Sequence, residues 1–430
     1  MLVPMIGALR PGLCAAAAAC SLLLAACGGS SPSPESAGQT WALTVAPGSL
    51  DTGPASMGPY LMPSPRGVVL SWLEMRDATA TLRFAERSPD GRWTTPQTVS
   101  AGTDWFVSEV DVPSVLRLAD GSLVAQWLKA VDLATEAYDV RLATSRDNGR
   151  TWSGPVAPHH DGTSTQHGFV SMFEWPSAQG GGLGLVWLDG RAMSPAPTGP
   201  GSDEMGLHMA RFDPSGKQTE EAPLNTRVCE CCPTSVALSA SGPVVAFRDR
   251  SPDEVRDIQV LRFDAPGWAA PVRVHADGWT LDSCPVNGPA VAASGDRVAV
   301  AWWSAPGDDG HAFVAFSADR GKTFGQAVRV DDMASLGHVG VVLLDDGSAV
   351  VTWIEFGDDG ARLRARRVEP SGTKSAAQQL AGGNGRYVSG IPRVARVGDT
   401  LVFAWTESRG EEPGAAQRVV TATAPLLPLR

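Results

Sequence analysis

The chain has 430 residues, among them Gly 47 and Pro 33, with 43% hydrophobic and 19% charged residues. That much Gly and Pro without a long helical pattern excludes a helical bundle, and the apolar content excludes a disordered chain. Lys+Arg 35 against Asp+Glu 46 give a net charge of -11, which excludes nucleic acid and an anionic membrane surface as electrostatic partners.

Residues 1–26 read as an export signal and stay outside the fold argument. Arg10 precedes an apolar run over residues 13–24 that is too short for a membrane span. The run ends in Leu24-Ala25-Ala26-Cys27, which resembles a bacterial lipobox and implies lipidation of Cys27. Residues 27–39 are a Gly/Ser/Pro-rich tether. Gly28 after Cys27 resembles outer-membrane sorting, so the expected location is the cell envelope, at the outer membrane. The domain over residues 40–430 then meets the membrane through its lipid only and is expected to be a monomer.

Within that domain one unit recurs: an apolar strand, a Gly or Asp turn, and a β-branched run ending in an aromatic residue. The aromatic positions are Trp72, Trp127, Trp187, Phe247, Trp302, Trp353 and Trp405, at separations of 55, 60, 60, 55, 51 and 52. A third alternating strand and a weaker fourth follow each of them, as in Pro271-Val272-Arg273-Val274. Four short strands per repeated unit predict an all-β fold, a β-propeller. The seventh unit runs out after its third strand, near residues 416–425, while Trp41-Ala42-Leu43-Thr44-Val45 has no partner of its own. An N-terminal strand that completes the last blade closes the ring and removes exposed sheet edges. The count is therefore seven blades, with six as the alternative if the unit at Phe247 or the terminal unit is not a blade.

Two turns between third and fourth strands share a pattern. Ser145-Arg146-Asp147-Asn148-Gly149-Arg150-Thr151-Trp152 and Ser317-Ala318-Asp319-Arg320-Gly321-Lys322-Thr323-Phe324 both read S-x-D-x-G-x-T-aromatic, and Ser88-Pro89-Asp90-Gly91-Arg92-Trp93 is a shortened copy. The Asp caps the turn, Gly takes positive φ and the aromatic packs between sheets. The pattern resembles the Asp-box, or bacterial neuraminidase repeat, of the sialidase superfamily.

In a propeller, the loops leading into inner strands and those joining second to third strands gather on one face. There the sequence places His167, the cysteines, His338, Tyr387 and Arg393, together with Asp189, Arg191, Asp249, Arg250, Glu355 and Glu407. The sialidase resemblance implies three arginines on a substrate carboxylate, a Tyr nucleophile activated by Glu, and an Asp acid/base. Carried onto this chain it implies Arg191, Arg250 and Arg393 as the clamp and Tyr387 as nucleophile. Glu407 or Glu355 would be its activator, and Asp189 or Asp249 the acid. The partner it implies is a sialylated or other acidic glycan. The chain departs from the family in blade count, since known sialidases have six. It also lacks an aromatic-Arg-Ile-Pro segment near the domain start and carries Gly390-Ile391-Pro392-Arg393 late instead.

Past the signal and Cys27, the cysteines are Cys229, Cys231, Cys232 and Cys284. An oxidising compartment favours disulfides, with Cys231 or Cys232 joined to Cys284. Thiolates joined by His167 and His338 would instead hold copper or zinc. His159 and His160 fall outside the repeat core and are expected at the solvent surface. Three functions stay open: a sialidase-like exo-glycosidase or glycan-binding lipoprotein, a metal-binding or redox propeller, and a non-catalytic interaction scaffold.

Overall fold

The computed structural model describes residues 41–132, 136–193, 204–357, 360–410 and 416–426. Cys27, the signal and the whole tether lie outside the described residues. From residue 41 on, the described chain forms seven antiparallel sheets. Blade 1 runs Ser56–Ser64, Gly67–Arg76, Thr79–Arg87 and Gln97–Gly102. Blade 2 has Ser114–Arg117, Leu123–Asp132 and Ala137–Ser145, with a single bridge from Leu142 to Val156 in place of a fourth strand. Blade 3 runs His167–Glu174, Leu183–Asp189, Met205–Phe212 and Gln218–Val228. Blade 4, at Phe247, has Ser235–Leu238, Pro243–Arg248 and Ile258–Asp264, edged by Gly267–Trp268 and Val272–Arg273. Blades 5 and 6 begin with Ala290–Ser294 and Ser335–Leu343. Blade 7 is Arg386–Val397, Thr400–Arg409 and Gln417–Pro425. Each inner strand touches that of the next blade, and the last touches the first, so the blades form a closed ring.

The ring closes where Ala46–Pro47 pairs with Gln417–Pro425 as the outer strand of blade 7. The closing strand is thus shifted from the expected stretch at Trp41-Val45. Those residues are drawn off the ladder: Gln378 accepts from the Leu43 amide at 2.7 Å and donates to the Trp41 carbonyl at 3.0 Å. Trp41, Leu43 and Val45 pack instead on the core between blades 6 and 7.

Seven hydrophobic clusters lie between successive blades, and each contains one aromatic of the repeat. Trp72, Trp187, Trp302 and Trp353 are 0% exposed. Truncating such a side chain to Ala costs about 3–5 kcal/mol. The period read from the sequence is thus the period of the inter-blade cores. On one face of the ring, the turns at Asp147 and Asp319 carry the same hydrogen bonds. Asp319 accepts from the Thr323 amide at 2.9 Å, from its hydroxyl at 2.7 Å and from Ser317 at 2.7 Å. Asp147 accepts from the equivalent Thr151 and Ser145 groups at 2.9, 2.7 and 2.9 Å.

Candidate functional site

All seven inner strands line a central channel with a cavity of about 610 Å³. Its walls are mostly apolar, among them Met62, Val236, Val291 and Val341, and Arg393 enters it with its guanidinium carbon 4.0 Å from the Tyr60 ring centroid. Desolvation lowers the Arg393 pKa. Tyr387 is half-buried on the same strand, its ring over Gly360, where a Cβ would lie 2.4 Å from Cε1. Glu407 faces Arg386 at 3.4 Å.

The other two arginines of the expected clamp lie elsewhere. Arg250 is buried and donates to Glu254 at 2.9 Å, with Glu230 at 4.0 Å. Asp249 next to it accepts from Gln259, and burial raises its pKa. Arg191 donates to both oxygens of Asp189 at 2.7 Å and to Glu221 at 2.7 Å. Glu355 and Asp189 are tied by the repeat itself, since Trp353 Nε1 donates to Glu355 at 3.2 Å and Trp187 Nε1 to Asp189 at 2.8 Å. Arg393 lines the channel and Arg191 a pocket at the rim, so the structure does not gather the three arginines in one cavity.

Nor do the cysteines and histidines converge. The sulfurs pair as Cys229–Cys232 and Cys231–Cys284, the second stapling the approach to blade 4 onto that to blade 5. His338, in the left-handed region at φ 50, pairs its Nδ1 with the Gly390 carbonyl, while its amide donates to Asn287 at 2.8 Å. His167 belongs to a third place, the seam between blades 2 and 3.

That seam holds a cluster of titratable side chains on the mouth face. His167 opens the inner strand of blade 3, directly across from Asp189 at the end of the second strand. Asp139 projects from the third strand of blade 2, and His159 and Asp161 come from the connection between the two blades. The His159 and His167 rings stack with centroids 3.9 Å apart and planes 1° from parallel. Asp161 lies 3.3 Å from His159 Nδ1 and 3.2 Å from His167 Nε2. At the opposite ring edges, Asp139 lies 3.7 Å from His159 Nε2 and 3.6 Å from His167 Nδ1. The expectation that His159 is solvent-exposed is thus corrected: it is 7% exposed, while His160 beside it does face solvent. The irregular path of residues 157–166 turns one histidine inward and its neighbour outward.

Burial, and then repulsion from His167, push the His159 pKa down to about 4 against the pull of Asp139, Asp161 and Asp189. Burial alone would raise Asp161, but hydrogen bonds from the Thr163 hydroxyl and amide and the adjacent His167 hold it well below the usual range. Asp189 is likewise lowered against burial, chiefly by Arg191, and Arg191 is raised by Asp189 and Glu221. Outward from this cluster, a rim pocket of about 210 Å³ is lined by His160, Asp161, Arg191, His208, Glu221 and their neighbours. Imidazoles, carboxylates and a guanidinium in one open pocket supply proton donors, proton acceptors and an anion ligand. Sequence reasoning found Asp189, Arg191 and His167 here but missed Asp139, His159, Asp161, His208 and Glu221. The one local signal was the run His159-His160-Asp161 in a blade connection.

No family model matches the chain, and no curated protein matches it. Among solved structures it resembles the polysaccharide lyase Uly1, with TM-score 0.50 at 11% identity over 86% of this chain and 90% of that one. NanB sialidase from Streptococcus pneumoniae (a K499G mutant) gives TM-score 0.47 at 9% identity, over 89% and 94% of the two chains. The intramolecular trans-sialidase from Ruminococcus gnavus gives 0.46 at 10%, over 73% and 94%. At these identities the likeness is one of fold.

Proposed function

We propose that the protein binds and processes an acidic saccharide at the mouth face of the propeller, in the rim pocket between blades 2 and 3. The observation that carries this reading is the convergence of His160, Asp161, Arg191, His208 and Glu221 on one open pocket. A sugar presents hydroxyls that both donate and accept, and an acidic sugar adds a carboxylate that suits a guanidinium. His208 and Glu221 are the acid–base candidates, and Arg191 the group that meets the sugar acid. A polysaccharide lyase, Uly1, shares the fold. Cys27 is proposed to carry a lipid that holds the domain at the outer membrane, so Cys27→Ala should release it to the soluble fraction.

A second centre has its own support. Arg393 lines the channel and its Nε has no hydrogen bond to another described residue, which leaves it able to meet a carboxylate. Tyr387, on the same strand, would then be the nucleophile of a sialidase-like exo-glycosidase.

The test offers the purified domain a panel of sialosides and uronate-containing polysaccharides, following both binding and product release. In the rim reading, Glu221→Gln and Arg191→Ala each weaken binding or turnover at least tenfold while Tyr387→Phe does not. Loss in Tyr387→Phe alone moves the site to blade 7. Folded protein that neither binds nor converts any member of the panel contradicts both.

A further inference from the structure

We propose that the cysteines between the approaches to blades 4 and 5 form a redox-gated site for one Cu(I) ion, held by the thiolates of Cys229, Cys231 and Cys232 once both bridges are reduced. Three observations carry the assignment, and none depends on either saccharide reading.

The first is that the two bridges make one cluster of sulfur. The Sγ atoms of Cys229, Cys231 and Cys232 all lie within 4.8 Å of one another, and Cys284 is bonded to Cys231. Across the two bridges, Cys229 Sγ and Cys231 Sγ are 4.0 Å apart. A bridge that only staples two loops has no need of a second one against it. Thiolates bound to one metal at about 2.3 Å lie about 3.8–4.0 Å from one another. The Cys229–Cys231 pair already has that spacing, and rotation about the Cα–Cβ bonds brings Cys232 to it once its bond to Cys229 is reduced. A thiolate has no ring plane to align, so this rotation is the only adjustment the site requires.

The second is a frame that does not depend on the bridges. The Cys229 amide donates to the Arg248 carbonyl at 2.9 Å, and Val228 before it pairs with Asp249. Glu230, between the cysteines, is held by Arg256 at 2.9 Å. On the facing loop, Gly288 packs so closely on Pro233 that a Cβ would lie 1.9 Å from the Pro233 carbonyl oxygen. Asn287 beside it donates to the Leu336 carbonyl at 3.2 Å. These contacts keep the two loops opposed, so reduction leaves the sulfurs gathered.

The third is access and donor type. Cys229 and Cys232 are each 1% exposed, Cys231 is half-buried and Cys284 is exposed. Exposed bridges are the labile ones, so a dithiol reductant meets Cys284 first. Its thiolate attacks Cys284 Sγ, forming a mixed disulfide and releasing the Cys231 thiolate. Its second sulfur then displaces Cys284, so one dithiol is oxidised to its disulfide and two cysteine thiols form. A second dithiol opens Cys229–Cys232 in the same way, and Cu(I) binds as the thiols release their protons. Among the described residues this potential ligand group consists of cysteines alone. An all-sulfur set selects a soft ion, and three close sulfurs suit Cu(I), whereas structural zinc takes four ligands.

The full chain is reduced anaerobically with a dithiol, desalted and titrated with Cu(I) against bathocuproine disulfonate, while circular dichroism follows the fold. The triple variant Cys229→Ser/Cys231→Ser/Cys232→Ser gives the background from cysteines outside the site. The expected result is one Cu(I) per chain above that background in reduced protein and none in oxidised protein. Cys229→Ser and Cys232→Ser should each weaken binding at least tenfold, whereas Cys284→Ser should keep it. In wild type, bound Cu(I) should block alkylation of Cys229, Cys231 and Cys232 by iodoacetamide but not of Cys284, which keeps the test decisive if a serine variant fails to fold. Loss of the fold on reduction, no copper above background, or affinity unchanged in both Cys229→Ser and Cys232→Ser overturns the assignment.

Discussion

Asp319 and Asp111 are both carboxylates at blade ends, one in a turn on the face away from the mouth and one on the mouth side, and their acidities move in opposite directions. Burial would raise Asp319, but the hydroxyl and amide of Thr323 outweigh it and lower its pKa to about 2. Asp111 is buried ahead of blade 2 with the Phe169 amide donating at 2.8 Å, and burial raises its pKa to about 7. Gly168 is required there, because a Cβ would lie 2.1 Å from the Asp111 carboxylate. The same contrast separates the whole turn side from the blade 2–3 seam. In the S-x-D-x-G-x-T turns the Ser, Asp and Thr side chains meet their partners within four residues, so this core of the turn closes on itself. At the seam, buried nitrogens and oxygens from three segments face one another without hydrogen-bonding. Polar groups satisfied locally build the scaffold, whereas polar groups gathered and left unsatisfied mark function.

Asp111 gives the largest way to break that contrast. Its folded pKa lies above its unfolded value, so the carboxyl stays protonated in the folded chain while the unfolded chain ionises. Its contribution is intact below about pH 4 and is lost as pH rises to about 7, by on the order of 4 kcal/mol. Urea unfolding of wild type and Asp111→Asn should show the variant gaining by that margin across the window. A difference that does not change with pH would show that Asp111 is not held protonated.

The turn side predicts a smaller loss of the opposite sign. Asp319→Ala should cost about 1–2 kcal/mol near neutral pH. The folded pKa is depressed, so this stability is present above the unfolded value near 3.8 and disappears as pH falls toward about 2. Thermal unfolding that shows no loss at neutral pH would remove the claim that these turns are self-sufficient.

The smallest effect on stability belongs to the seam. His159→Leu should change unfolding free energy by less than about 1 kcal/mol, in the stabilising direction, because the buried His159 Nε2 makes no hydrogen bond to another described residue. A large loss of stability would make the stacked histidines a structural element instead.

Much of the scaffold was legible in the chain because each repeat aromatic fills one inter-blade core, and a core must recur once per blade. Trp187 and Trp353 could be placed from spacing alone, and the missing fourth strand of the last unit pointed to closure from the N-terminus. The closing strand itself slipped to Ala46–Pro47 because Gln378, distant in sequence, takes the backbone of Trp41 and Leu43. The site was less legible. Arg191 and His167 stood out because they sit at repeat-defined strand ends. His159 and Asp161 lie in an irregular connection with no period to predict which side chain turns inward. Arg191 and Arg250 looked like members of one clamp, but each is anchored by its own carboxylates in a different place, a separation that only the folded chain creates.

The claim that the blade 2–3 rim is a ligand site is tested most directly by calorimetric titration of the folded domain with a uronate-containing oligosaccharide. The account predicts saturable binding that Arg191→Ala and Glu221→Gln each weaken at least tenfold. Binding left unchanged in both variants, or lost only in Tyr387→Phe, would contradict it.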